Sequence, residues 1–309
     1  NLIGYAPINK TILADFLKKK NFDIEILKES GLFYNNKFEN SINLYSRFRG
    51  RLIIPIRDIN SRIVAFTARK LNQTPADDPS REAKYINSPE TILFHKSKLL
   101  FGMHHARKHL KDNNTLLLVE GQLDTIRCWS VGLNTAVAPQ GTSITEDQLK
   151  IIRRYDPDKI FCLLDGDSAG RKAALRSLNL AFRAGLEFEY IKLPENKDPD
   201  DIIKDFGLKG FENLKRKSLK PMQLLIEEIM PNGASTSTRE KTKACKIIFE
   251  HITSVKSVIA QEDHLKVVSK TSKINYDSLL KDFNAFKSKE KYTAIKQANQ
   301  NPVSKDNFL

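Results

Sequence analysis

The sequence predicts an α/β protein with a mixed α/β amino-terminal subdomain, a central parallel sheet and a carboxy-terminal helical bundle. Three observations predict it. Between residues 115 and 193, short all-apolar runs alternate with amphipathic segments, as in a parallel sheet covered by helices on both faces. Upstream, two β-branched runs flank the turn-forming stretch Asp58–Ser61, as in a hairpin. Downstream, residues 211–286 carry only helical periodicity.

Each element has its own signal. Residues 11–30 place Ile12, Leu13, Phe16 and Leu17, then Ile24, Ile26 and Leu27, at helical spacing, with a break at Asn21 and a stop at Gly31. Residues 51–56 and 62–67 are the hairpin strands. Pro55 has no N–H to give a ladder, so the first strand is expected at an edge or with a bulge. Residues 72–91, with Pro75, Pro79 and Pro89, are expected to form a polar loop, and 97–111 a basic helix. The regular block then runs strand Leu116–Val119, helix Gln122–Val131 closed by Gly132, strand Thr135–Ala138 and helix Glu146–Tyr155. It continues with strand Lys159–Leu164, helix Ala169–Ala184 closed by Gly185, and strand Glu187–Leu193. In the bundle, Leu224–Ile226, Ile247–Phe249, and Leu279 and Leu280 with Phe283 mark apolar faces, while Pro231 and Gly233–Thr238 separate helices. Residues 288–309 are polar and read as a linker or frayed tail. The expected domains are 1–112, 113–208, 209–286 and a tail, 287–309, with no internal repeat.

The totals bound the function. A chain of 309 residues is long enough for two or three domains. No apolar run approaches the length of a bilayer span, so no membrane partner is expected. Residue 1 is Asn, with no charged-then-apolar leader after it, the pattern of an excised or processed fragment without an export signal. Cys128, Cys162 and Cys245 lie far apart with no C-x-x-C pair, which argues against a zinc ribbon or a disulfide framework and for reducing, cytoplasmic surroundings. Lys and Arg number 51 against 37 Asp and Glu, a net charge of +14. That surplus favours a polyanionic partner, nucleic acid ahead of an anionic membrane, over a merely lysine-rich surface.

Against this basic background the carboxylates are concentrated. In open parallel sheets, ligands bind beyond the carboxyl ends of the strands. Glu120 follows the strand Leu116–Val119, Asp165 and Asp167 follow Lys159–Leu164, and Asp198, Asp200 and Asp201 follow Glu187–Leu193. Asp165 and Asp167 would share a face across Gly166, and Asp198 and Asp200 across Pro199, if the backbone is extended. Asp124 lies one turn into the helix after Glu120, and Asp201 is open to a second use, capping a helix from Ile202. Asp and Gly are ordinary turn residues after strands, which accounts for any one cluster but poorly for three. Carboxylates crowded together repel, and a hard divalent cation, Mg²⁺ or Mn²⁺, removes the repulsion and suits all-oxygen ligands better than zinc does. Such sites serve phosphoryl or nucleotidyl transfer.

Other candidates are basic. Arg47, Arg49 and Arg51 would share one face of an extended segment and meet template phosphates, or form a solvated strand face. Lys84, Asn87 and Lys96, in or after the polar loop, could hold triphosphates. His105 and His109 have a zinc-compatible spacing with no acid or cysteine to complete a site, so a solvent-facing helix with His104 is expected. No Walker or dinucleotide fingerprint is present.

Glu120–Asp124 (EGQLD), Asp165–Gly170 (DGDSAG) and Asp198–Asp200 (DPD) resemble the three motifs of the Toprim fold, shared by bacterial primases, topoisomerases and some nucleases. Arg47–Ile56 (RFRGRLIIPI) and Lys84–Thr91 (KYINSPET), with Phe94–Lys96, resemble DnaG-type bacterial primases specifically, over roughly residues 1–285. The resemblance implies DNA-templated synthesis of RNA primers for replication, in the cytoplasm at the fork. It implies that Glu120, Asp165 and Asp167 are the central catalytic metal ligands and that Asp198 and Asp200 form the third motif, with Asp124 beside them. Mg²⁺ or Mn²⁺ would coordinate ribonucleoside triphosphates, while Arg47, Arg49, Arg69, Lys84, Asn87 and Lys96 line the groove for them and for the single-stranded DNA template. Three places depart from the family pattern: Gln122 and Leu123 replace Tyr-Met, Pro139–Thr142 replaces Ser-Leu-Gly-Thr, and Thr67–Arg69 replaces Gly-Gly-Arg. Zinc is not expected in these residues, and a replicative helicase is expected only through a carboxy-terminal domain not seen in them. The alternatives are a Toprim nuclease or topoisomerase, and a non-catalytic DNA-binding adaptor.

Overall fold

A computed structural model describes residues 3–34, 44–141, 143–163, 175, 177, 180, 185–195, 197–232 and 237–300. They fall into two units, Asn1–Pro157 and Asp158–Leu309.

In the first unit, a short strand β1 (Gly4–Ala6) leads into helices α1 (Ile12–Lys19) and α2 (Ile24–Glu29). Asn21 adopts φ 60° and breaks the chain between the helices. Asp23 then caps α2, its carboxylate accepting from Glu25 N at 2.7 Å. Ala14, Leu27, Phe33 and Leu44 form the small core beneath them, beside strands β2 (Phe33–Tyr34) and β3 (Tyr45–Ser46). The hairpin consists of β4 (Arg51–Arg57) and β5 (Ile63–Lys70). Asp58 shapes its turn by accepting from the amides of Asn60 and Arg62, each at 2.9 Å.

The strand of Pro55 is not an edge, since β4 lies between β1 and β5, yet Pro55 itself is open on one side. β1 pairs with β4 only from Arg51 to Ile53, so Pro55 faces Phe66 of β5 with its other side unladdered. A register shift follows at once, between Ile56 and Arg57.

The polar loop expected over 72–91 contains a strand, β6 (Tyr85–Asn87), which joins the antiparallel order β1-β4-β5-β6. Three residues are too few to show a period of two, which is why the strand escapes a sequence reading. Its pairing partners supply the signal instead: Asn87 lies opposite Thr67 and Tyr85 opposite Arg69.

After α3 (Met103–Asn113) comes the buried strand β7 (Thr115–Val119), helix α4 (Gln122–Ser130), strand β8 (Ala136–Val137), parallel to β7, and helix α5 (Glu146–Arg153). Gly102 caps α3 with φ 87°, and a Cβ there would meet the Trp129 ring at 2.7 Å. The α3 histidines do not face solvent as expected. His105 lies 4.6 Å from the Trp129 ring and His104 6.3 Å, because α3 turns that face toward α4.

In the second unit, β9 (Lys159–Leu163) and β10 (Phe188–Tyr190) pair in parallel. Helices α6 (Pro199–Lys215), α7 (Pro221–Ile229), α8 (Thr238–Thr253), α9 (Val258–Ser272) and α10 (Tyr276–Gln300) follow. Met222, Ile226, Ile248, Ile252, Val268 and Phe283 form part of their shared core. Gly207, at φ 61°, kinks α6. The expected polar tail is corrected in part: α10 continues as helix to Gln300, since Lys, Glu, Gln and Ala there are good helix formers without a breaker. The helix expected over 169–184 falls almost wholly outside the described residues, as do 301–309.

Candidate metal and nucleotide site

After Thr115, strand β7 is apolar because it is buried, with Leu116 to Val119 at most 5% exposed. That burial fixes the direction in which the chain leaves the sheet, and the first polar side chain past its carboxyl end is Glu120. Oε2 of Glu120 is buried and accepts no hydrogen bond among the described residues. A carboxylate oxygen in that position is costly unless a donor or cation meets it. A divalent ion bound through Glu120 would satisfy it, so the donor chemistry fits.

Asp124 stands in the first turn of α4, where Oδ2 accepts from Gly121 N at 2.9 Å. One of its oxygens therefore closes the helix start. Its charge reaches β6 as well. The Tyr85 phenol is pushed up, chiefly by burial, with the Arg69 guanidinium opposing the shift and the Asp124 carboxylate adding to it.

Tyr85 is flanked by two cations. The Arg69 guanidinium and the Lys84 ammonium each lie 5.9 Å from its ring centroid. Two strand positions further on, Asn87 Nδ2 donates to the Gln140 carbonyl at 3.4 Å. Gln122 Nε2 donates to Gln140 Oε1 at 3.2 Å. A chain of amides thus ties the start of α4 to β6. Asn87 Oδ1, Gln140 Nε2 and Thr67 Oγ1 remain buried without partners among the described residues, a cluster of hydrogen-bonding capacity left for a ligand. Gln122 and Gln140 were not among the expected site residues. The signal for them was their departure from the family's motif, at two positions that prove to be hydrogen-bonded to each other.

Lys96 is fixed through its backbone, its N–H donating to Glu90 Oε1 at 3.1 Å and its carbonyl accepting from Gln148 Nε2 at 3.0 Å. Its ammonium forms no ion pair among the described residues. Arg47 lies over the Tyr34 ring at 5.1 Å.

Arg49 and Arg51 are used otherwise than the shared-face reading expects. Residues 47–50 are not strand, so the period of two fails. The Arg49 guanidinium grips Asp77, with Nη2 to Oδ1 at 2.9 Å, and its Nε donates to the Ile8 carbonyl at 3.1 Å. That contact holds the exposed Asp77 carboxyl below its usual range. Arg51 is completely buried and donates to the carbonyls of Ser80, at 2.7 Å, and Ala83, at 3.0 Å. Both arginines brace the segment that leads into Lys84.

In the second unit, β9 is buried like β7 and leads toward Asp165 and Asp167, which lie outside the described residues. The third motif corrects an expectation. Pro199 does not keep the chain extended but occupies the first position of α6, where its missing N–H costs nothing. Asp198 is the N-cap, its Oδ1 accepting from Asp201 N at 2.8 Å while Asp201 Oδ2 accepts from Asp198 N at 3.3 Å. Asp200 is therefore helical, and the shared face proposed for it with Asp198 is lost. Asp201 closes a capping box rather than starting a helix at Ile202.

No group of three or more His, Cys, Asp and Glu side chains able to hold a metal assembles among the described residues. The cysteines are all free and buried. Burial pushes the Cys128 and Cys162 thiols up to about 12, so neither offers a thiolate at neutral pH. No described helix is long and apolar enough to cross a membrane.

Comparison with known proteins agrees with these features. A family described as the DNA primase catalytic core, N-terminal domain, matches residues 2–107, and a Toprim-like family matches residues 117–203. A DNA primase of Halalkalibacterium halodurans is 31% identical over 303 residues, covering 97% of this chain and 49% of the relative. The chain thus spans about half the length of that relative. A structure of the DnaG catalytic core is 30% identical with a TM-score of 0.73, covering 89% of this chain and 86% of the other. A DnaG primase catalytic domain solved bound to single-stranded DNA is 29% identical with a TM-score of 0.75, covering 89% and 84%.

Proposed function

Since the chain belongs to the DnaG primase family, as a catalytic core of that family, we propose that it joins ribonucleotides into short RNA primers on a single-stranded DNA template, in the cytoplasm at the replication fork. The observation that carries this reading is the orphaned Glu120 oxygen in the same unit as the Arg69–Tyr85–Lys84 cluster and the amide chain through Gln140. A carboxylate that needs a cation there accompanies cations that need an anion.

Divalent metal use goes with the Toprim family. Glu120, Asp165 and Asp167 are the residues that would hold Mg²⁺ or Mn²⁺, with Asp198, Asp200 and Asp124 supporting. When bound, such an ion lowers the pKa of an attacking hydroxyl and offsets triphosphate charge. The chain's own groups do the rest. Arg69 and Lys84 attract the triphosphate, and Tyr85 sets their spacing. Asn87, with its Oδ1 unpartnered, accepts from a ribose or base donor. Lys96 and Arg47 add charge along the groove, and Arg49 and Arg51 hold its wall. In this assignment residues 1–112 supply the groove, 113–208 the metal ligands and 209–286 a helical support.

The test is templated synthesis from ribonucleotides with Mg²⁺, comparing wild type, Asp165→Asn and Glu120→Gln. Each variant is expected to stay folded and to lose at least about a hundredfold in rate, the usual effect of removing a group that stabilises transition-state charge. Undiminished synthesis by Asp165→Asn would overturn the reading. Metal-dependent nicking of DNA without ribonucleotides would assign a nuclease instead.

A further inference from the structure

A second basic feature lies within the first unit, lined by none of the residues assigned above. A recess of about 680 Å³ is lined by Arg107, Lys108 and Lys111 of α3, by Arg154 at the end of α5, and by Asn114 and Tyr155. No carboxylate lines it. None of its four cations forms an ion pair among the described residues. Elsewhere in the same unit, Lys28, Arg49, Arg51, Arg62, Lys70 and Lys150 have carboxylate partners within 4 Å.

Four like charges around one recess repel each other and raise the free energy of the fold unless an anion is shared among them. The non-cationic lining suits one anion in particular. Asn114 offers an amide donor and Tyr155 a phenol ring on which a base can stack, at the half-buried rim. The recess is also remote from Glu120. Asn114 directly precedes β7 and Glu120 directly follows it, so the two ends are separated by about 20 Å of extended chain.

We infer that this recess is a second nucleic-acid contact, binding the phosphodiester backbone of a single strand with a base against Tyr155, independently of the metal and nucleotide site. Such a contact would hold the strand at one end of β7 while chemistry proceeds at the other.

The test is anisotropy of a labelled oligothymidylate titrated with the protein across a salt series, in chelator so that the acids and any metal take no part. The triple variant Arg107→Gln, Lys111→Gln, Arg154→Gln removes three contacts. Its plot of log affinity against log salt should flatten by about 2, at about 0.7 per phosphate on a single strand, with roughly tenfold weaker binding at low salt. Tyr155→Ala should weaken binding without changing the slope. Should the triple variant prove unstable, Lys111→Gln alone, on an exposed side chain, is expected to flatten the slope by about 0.7. An unchanged slope in a folded variant would overturn the inference. So would inorganic triphosphate that binds wild type and not the variant while the oligonucleotide slope stays the same, which would assign the recess to free nucleotide phosphate.

Discussion

Arg51 shows how a residue's type can mislead about its task. An arginine beside two others reads as a phosphate contact, yet its side chain is fully buried, 3.9 Å from the equally buried Asp78. The partners that decide this are 27 or more positions downstream, where no local pattern points. Removing one member of a buried pair strands the other, so Arg51→Ala is expected to cost about 3–5 kcal/mol, read as a shift of the urea midpoint. His104 gives a residue-level prediction in pH. Burial lowers it from 6.5 to about 4, and the nearby Arg57 adds to the shift. Its folded pKa lies below its unfolded one, so the unfolded chain binds the extra proton between those values. The stability it contributes is present above about pH 6.5 and is lost as pH falls toward 4. Thermal melts at pH 7 and pH 5 should therefore separate more for wild type than for His104→Asn.

At the scale of elements, legibility followed burial. Strands β7 and β9 were plain because both faces are covered and every residue after the first is apolar. Strand β6 was hidden because it is three residues long and owes its existence to β5. The start of α6 was misread because proline is compatible with two opposite backbones, extended before a helix or helical at its first position. The capping box of Asp198 and Asp201 settles which. Junctions between elements carry the next predictions. Gly102→Ala would place a methyl against Trp129 at a backbone φ of 87°, at a cost of about 2–3 kcal/mol by guanidinium unfolding. Trp129 is the single tryptophan, so its fluorescence should also report the disturbance of α3 against α4. Ser237→Ala, which removes the cap accepting from Glu240 N, should cost about 1 kcal/mol.

For the molecule as a whole, the contrast of signs remains informative. A net charge of +14 accompanies a buried Glu120 oxygen that no described donor meets. Metal that binds the folded chain alone should raise its stability by about 2.7 kcal/mol at a hundred times Kd. Calorimetry with Mn²⁺ should show that gain in wild type and lose most of it in Glu120→Gln. The candidate site was legible in the sequence to the extent that strand ends and motif spacing fix it, as for Glu120. Gln122 and Gln140 showed in the sequence only as departures from the motif, and their use, like that of Tyr85, came from contacts that join distant segments.

The bracing of the segment before Lys84 has a practical bearing on inheritance and engineering. Arg49 and Arg51 hold it through Asp77 and the carbonyls of Ser80 and Ala83, not through the cations it displays. A chimera that exchanged residues 72–84 with those of another family member would therefore transplant only half of a lock. Recombination is tolerated where the stretch that carries the two arginines travels with the loop they hold.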